Sequence, residues 1–178
     1  MKLPICLTDA KIGVLCPRCE ARLEKGEISS VDVEVSYILA KAAKEIPVLD
    51  TITLVRAHEL EGNLVLVLGS GDARKILADG NALKKLKEYL NYERLWITEE
   101  GDDRRFVEYL LHPLRVLTLN TVWLPDGSKT TRVLVAGRPE RGSDVDINKA
   151  KKIIKALRGL DLEIQFERPP IKKRAFSR

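Results

Sequence analysis

Between residues 29 and 46 apolar side chains recur at helical spacing: Val31, Val35, Ile38, Leu39, Ala42 and Ile46. Ser29 or Ser30 supplies an N-cap and Pro47 a stop, so the stretch predicts a helix. The period then changes. "TITLVRAHE" and "NLVLVLG" are runs of strand-forming residues, and the "LEGN" between them predicts a hairpin. "GDARKILADGNALKKLKEYL" returns to helical spacing and predicts two helices. Asp72 is the expected N-cap of the first, and the break falls at Asp79 and Gly80, where glycine tolerates a positive φ. "ERLWIT" predicts a short strand.

The same order restarts at "GDDRRFVEYLL", a short helix. It continues through the strands "LRVLTLNTVWL" and "TRVLVAG", joined by a "PDGS" turn, then the loop "RPERGSDVD", the helix "INKAKKIIKALRG" and the strand "LDLEIQF". Both halves therefore read helix, strand, strand, short helix or loop, helix, strand. "VLVLG" at 65–69 matches "VLVAG" at 133–137, an offset of 68. Downstream, Leu86, Leu90, Leu95 and Ile97 correspond to Ile153, Leu157, Leu162 and Ile164, an offset of 67. A register kept in step over such a length is read as an internal duplication. The expectation is an α+β chain: a cysteine-bearing segment at 1–28, repeats at 29–99 and 100–166, and a tail at 167–178.

Composition changes this picture in two places. Apolar residues make up 44% of the 178 residues and charged residues 32%, so a core is available beneath a charge-rich surface. No apolar run reaches the ~20 residues of a membrane span, and none resembles a signal peptide, so a cytoplasmic, soluble protein is expected. The net charge of +5 is unevenly placed: residues 167–178 hold five basic residues against one acid. Segment 29–99 has nine basic against eleven acidic residues, and 100–166 has twelve against ten. Any nucleic-acid affinity is therefore expected to lean on the second repeat and the tail.

A helix-strand-strand-helix-helix-strand unit of this length resembles a type II KH domain. The chain as a whole, over about residues 1–166, resembles the archaeal NusA-like transcription factors, which carry two such domains in tandem. The N-terminal run "PIC…DAK.G.LCPRCE" is similar to a cysteine-bearing leader of a KH-containing branch of that family. The resemblance implies tandem type II KH-like domains and binding of single-stranded RNA. It further implies a role in transcription elongation or termination alongside RNA polymerase, and no catalysis.

KH recognition uses a Gly-x-x-Gly loop between two helices, whose bare backbone approaches the phosphates. The matching stretch of the first repeat is "LADG", which includes Ala78, Asp79 and Gly80 but keeps only the second glycine. In the second repeat it is about "DVDI", with neither glycine and two acids. Basic residues near the loops are the remaining candidates: Arg74, Lys75, Lys84, Lys85 and Lys87, then Arg138, Arg141, Lys149, Lys151, Lys152 and Lys155. Lys172, Lys173 and Arg174 in the tail join them, with Phe176 as a ring for stacking. The degenerate loops also suit a protein-interaction adaptor that docks on RNA polymerase or the ribosome.

Cys6, Cys16 and Cys19 are the only cysteines. Cys16 and Cys19 have the spacing with which two thiolates grip one zinc ion, and a hairpin could bring in Cys6. Asp9, Glu20, His58, His112, a partner's residue or water could complete a structural zinc site. Reduced or disulfide-linked cysteines without metal, and redox chemistry, stay as alternatives. "GSGDARK" lacks the Gly-Lys-Ser/Thr of a phosphate loop, and no HExxH, nucleophile elbow or metal-spaced carboxylate cluster occurs. No enzymatic activity and no small-molecule substrate is expected.

Overall fold

A computed structural model describes residues 1–123, 125, 127, 129–136 and 146–167. Among these the chain is α+β, with seven α-helices and two three-stranded mixed sheets. It divides into two compact units, Met1–Leu110 and Leu111–Arg178. Among the described residues no helix is long and apolar enough to cross a membrane.

The first unit opens with two short helices, α1 (Leu7–Ile12) and α2 (Pro17–Glu24), followed by α3 (Ser30–Ala42). Ser29 is the N-cap of α3: its hydroxyl accepts the Asp32 N–H at 3.0 Å, and the Asp32 carboxylate accepts the Ser29 N–H at 2.8 Å. This reciprocal pair satisfies two of the helix's orphan donors. Next come β1 (Leu54–Leu60) and β2 (Asn63–Leu68), joined by Glu61 and Gly62. Both turn residues have positive φ, 49° and 74°, as a tight two-residue hairpin requires. Helices α4 (Asp72–Ala78) and α5 (Gly80–Leu90), strand β3 (Arg94–Glu99) and helix α6 (Asp103–Leu110) complete the unit.

Strand β2 lies between β1, antiparallel, and β3, parallel, and all six of its residues are buried. This explains why "NLVLVL" does not alternate. Leu64, Leu66 and Leu68 join a core that holds Val35 and Leu39 of α3, Ile76 of α4 and Leu86 of α5. Each such side chain contributes roughly 1.5–3 kcal/mol of burial. On β3 the Thr98 hydroxyl donates to the Phe106 carbonyl of α6 at 3.1 Å. Helix α6, read from sequence as the opening of the second repeat, packs on β3 within the first unit.

The second unit holds β4 (Val116–Trp123), β5 (Lys129–Val135), α7 (Ile147–Arg158) and β6 (Leu162–Phe166). β5 pairs antiparallel with β4 and parallel with β6, the pairing scheme of the first sheet. Here β5 alternates: Thr131, Val133 and Val135 are buried, while the residues between them are not. α7 packs against β6 and buries Ala150, Ile153 and Ile154.

The two sheets correspond in detail, and the detail corrects the register. Gly69 N–H donates to the Thr53 carbonyl at 2.8 Å, and Ala136 N–H to the Arg115 carbonyl at 2.9 Å. Glu100 N–H donates to the Leu68 carbonyl at 2.7 Å, and Glu167 N–H to the Val135 carbonyl at 2.8 Å. A β-bulge interrupts both antiparallel pairs, between Leu54 and Arg56 and between Val116 and Thr118. These matches place Leu68 over Val135 and Leu66 over Val133, an offset of 67. The 68-residue match of "VLVLG" with "VLVAG" is thus one residue out. A slip of one exchanges the two faces of a strand, and only the offset of 67 aligns Leu64, Leu66 and Leu68 with the buried Thr131, Val133 and Val135.

Two further expectations are corrected between α4 and α5. Gly71, at φ 86°, is the N-cap of α4, and Asp72 is its first residue. The Asp72 carboxylate instead accepts the Thr53 N–H at 2.8 Å and pairs with Lys75 at 2.6 Å. The helix break is made by Asp79 in an extended conformation, φ −103° and ψ 91°, while Gly80 begins α5 and does not have a positive φ. A helix breaks as readily at a side chain that caps the next helix as at a glycine.

Candidate metal centre

Cys6, Asp9, Cys16 and Cys19 come together at the start of the chain, their ligand atoms all within 4.8 Å of one another. Two helix starts build the group. Cys6 is the N-cap of α1 and Asp9 lies in its first turn. Cys16 is the N-cap of α2 and Cys19 lies one turn along, with Pro17 in the first helical position. Proline suits that position because its missing N–H would have no partner there. α1 itself, and not a hairpin, closes the distance from Cys6 to Cys16. Gly13, at φ 81°, is the C-cap of α1 and turns the chain back.

Hydrogen bonds hold the group. Asp9 Oδ2 accepts the Cys16 N–H at 3.0 Å, and Cys19 Sγ accepts the Cys6 N–H at 3.4 Å. The Arg22 guanidinium donates to the Pro4 carbonyl at 2.7 Å, tying α2 to the leading segment. Cys19 and Asp9 are buried, Cys16 is half-buried and Cys6 is exposed. Ile5, Ala10, Ile28, Val33 and Ala40 surround Cys19 in a small apolar cluster that joins the leader to α3. The Lys2 carbonyl accepts the Leu54 N–H at 2.9 Å, tying the leader to the start of β1.

The arrangement fits a metal ion. At zinc–sulfur distances near 2.3 Å, tetrahedral thiolates stand ~3.8 Å apart; Cys6 Sγ and Cys19 Sγ are 3.5 Å apart. All three cysteines are free thiols. Burial pushes the Cys19 thiol up to about 12, and the Cys16 backbone N–H holds the Asp9 carboxyl below its ordinary value. A dication bound here has to displace the Cys19 proton. Three sulfurs and one carboxylate suit zinc or iron better than calcium or magnesium.

Of the companions open to the three cysteines, Asp9 is the one the fold delivers. Its signal in the sequence is its place three residues after Cys6, on the same side of one helical turn. His58 stands in β1, where burial pushes its pKa down, and neither histidine belongs to the group. Glu20, exposed on α2, is also outside it.

The residues put forward for RNA are spread over both units. Arg74, Ala78, Asp79, Gly80, Lys84 and Lys87 are exposed on α4 and α5, and Lys85 is half-exposed. Lys75 is exposed too but is held by Asp72 and by the Thr51 carbonyl at 3.2 Å. Lys149 and Lys151 are half-exposed and Lys152 and Lys155 exposed on α7, with Lys155 paired to Asp161 at 3.3 Å. Arg138, Arg141, Lys172, Lys173 and Arg174 lie outside the described residues. Asp79 Oδ1 accepts the N–H groups of Asn81 and Ala82, at 3.1 and 3.0 Å. In the second unit Asp146 Oδ1 does the same for Asn148 and Lys149, both at 3.1 Å. Asp79 and Asp146, third in the stretches "LADG" and "DVDI", are therefore helix caps at matching positions of the duplication. A Cβ added at Gly80 meets nothing within 4 Å, so the fold itself does not demand glycine there.

No protein-family model matches the chain, and no curated protein matches it. Among solved structures the chain is similar to one described as the crystal structure of APE1850, at 16% identity and a TM-score of 0.46. That similarity covers 73% of this chain and 95% of the other.

Proposed function

We propose that the chain is a non-enzymatic, cytoplasmic protein that binds single-stranded RNA, a NusA-like factor in transcription elongation or termination. On this reading each half is a type II KH-like domain, and Cys6, Asp9, Cys16 and Cys19 hold a structural zinc ion. The observation that carries the reading is the duplicated sheet, with an offset of 67 from β2 onward, matching bulges in the first strands and the matching caps Asp79 and Asp146. In both units the cap precedes a helix bearing lysines, Lys84, Lys85 and Lys87 on α5 and Lys149, Lys151 and Lys152 on α7. Gly80 leaves open space beside the first of these starts, where a phosphate can approach the backbone.

A second reading, a protein-interaction adaptor docking on RNA polymerase or the ribosome, is favoured by the same caps. Asp79 and Asp146 already take the N–H groups that a phosphate would use, and each adds negative charge at the helix start.

Titration with single-stranded RNA across salt concentrations separates the two. RNA binding predicts an affinity falling with salt at a log–log slope of about −0.7 per phosphate contacted. Lys84→Glu, Lys85→Glu and Lys149→Glu are expected to flatten that slope. Gly80→Ala is the sharper variant: it stabilises α5 by about 0.5 kcal/mol while weakening RNA, because a methyl group at the helix start adds helix propensity and holds a phosphate away. Tighter folding with unchanged RNA affinity removes Gly80 from the interface, and the absence of any salt-sensitive affinity favours the adaptor.

A further inference from the structure

The turn between α1 and α2 displays two large apolar side chains to solvent. Ile12 is 69% and Val14 67% exposed, on either side of Gly13. This tip is held from behind: Asp9 grips the Cys16 N–H, and Asp9 and Cys16 belong to the metal centre. Beside the tip, a groove of about 620 Å³ runs between α1 and the C-terminal half of α3. Its walls include Ala10, Ala40, Ala43 and the half-buried Tyr37, and its rim carries Lys11, Lys41 and Lys44. The three lysines are exposed, and none stands in an ion pair among the described residues. Asp50 is the one acid of the lining.

We propose that this groove and the Ile12 and Val14 tip form a docking site for an acidic peptide segment of a partner protein that inserts an apolar side chain. Charge complementarity selects the occupant: three cations against one acid call for a carboxylate-rich segment, and the alanine-lined walls call for an apolar anchor. A nucleic acid is the poorer fit, because the lining's one aromatic, Tyr37, is half-buried and the exposed tip residues Ile12 and Val14 are aliphatic. The metal centre gains a purpose on this view, as the brace that keeps an apolar turn rigid and presented. The inference rests on the metal reading for that rigidity and is independent of RNA binding.

The test uses the full chain and a fluorescein-labelled peptide, DEDLDEEFDE, followed by anisotropy. Saturable binding at about 10–100 μM is expected, weakened at least about tenfold by the combined variant Lys11→Glu, Lys41→Glu and Lys44→Glu. Ile12→Ser is expected to weaken it similarly, and the peptide DEDSDEESDE to bind at least about tenfold more weakly. Circular dichroism and metal content, unchanged in these exposed variants, separate lost docking from lost folding. Chelation is expected to abolish binding with the charges intact; if the protein holds no metal, the metal reading fails while the variant arms still judge the groove. The proposal is overturned by no saturable binding, by variants that bind as well as the parent, or by equal binding of the serine peptide. It is also overturned if the lysine variant spares the peptide and instead weakens single-stranded RNA.

Discussion

Replacing Asp32 with alanine is expected to cost about 3 kcal/mol of unfolding free energy, the low end for breaking a buried, hydrogen-bonded ion pair. Its carboxylate is fully buried and has three charge-assisted partners. The Ala57 N–H on edge strand β1 donates at 2.6 Å, the Ser29 N–H at 2.8 Å, and the Arg56 guanidinium at 3.1 Å. Truncation orphans the Ala57 donor inside the protein and breaks the capping box of α3. Arg56 is 41% exposed and can rehydrate, which is why the loss stays below the upper values for buried charges. Asp32→Asn keeps the shape and can still accept one N–H, so its loss is expected to be about half as large. Urea denaturation monitored by circular dichroism measures both, and a loss below about 1 kcal/mol for the alanine variant contradicts the account.

Removal of the metal is expected to have the other large effect, and a local one. Protein purified without chelator is expected to carry one equivalent of zinc, measured by elemental analysis. α1 and α2 have six and eight residues, too short to persist alone in water. Chelation, or Cys19→Ser, therefore unravels residues 1–26 while the sheets remain. Hydrogen exchange is expected to rise at least about a hundredfold across that segment and little in β2. Cys6→Ser is expected to be milder in folding, because Cys6 is exposed and Cys19 sits in the apolar cluster with Ile5, Val33 and Ala40. A chain that contains no metal and keeps the leader protected would show that the apolar cluster alone holds the thiols in place.

The elements carrying a strong period are legible in the sequence. Val35, Leu39 and Ala42 place one face of α3 on the core, and the continuous "NLVLVL" is the buried central strand it reads as. Local identity is the weaker guide to register. "VLVLG" and "VLVAG" look alike at an offset of 68, yet the hydrogen bonds set 67, because the pleat sorts residues by face and not by resemblance. Asp72 and Gly80 failed as cap and positive-φ residue for a related reason. Asp72 had a better use for its carboxylate on the distant Thr53 N–H, and Asp79 supplied the cap that made a strained glycine unnecessary.

For the metal centre the division is equally clear. The spacing of Cys16 and Cys19 already placed two thiols on one turn of chain, since that is a property of local geometry. The choice of Asp9 over His58, His112 and Glu20 was decided only when α1 formed between Cys6 and Cys16 and Gly13 folded the chain back. The chain by itself determined the α+β order, the duplication and the pair of cysteines, all written in periods of a few residues. The tertiary structure alone decided the strand register, the meeting of Asp9 with the three cysteines and the groove beside Ile12, because each depends on packing between segments that sequence distance does not reveal.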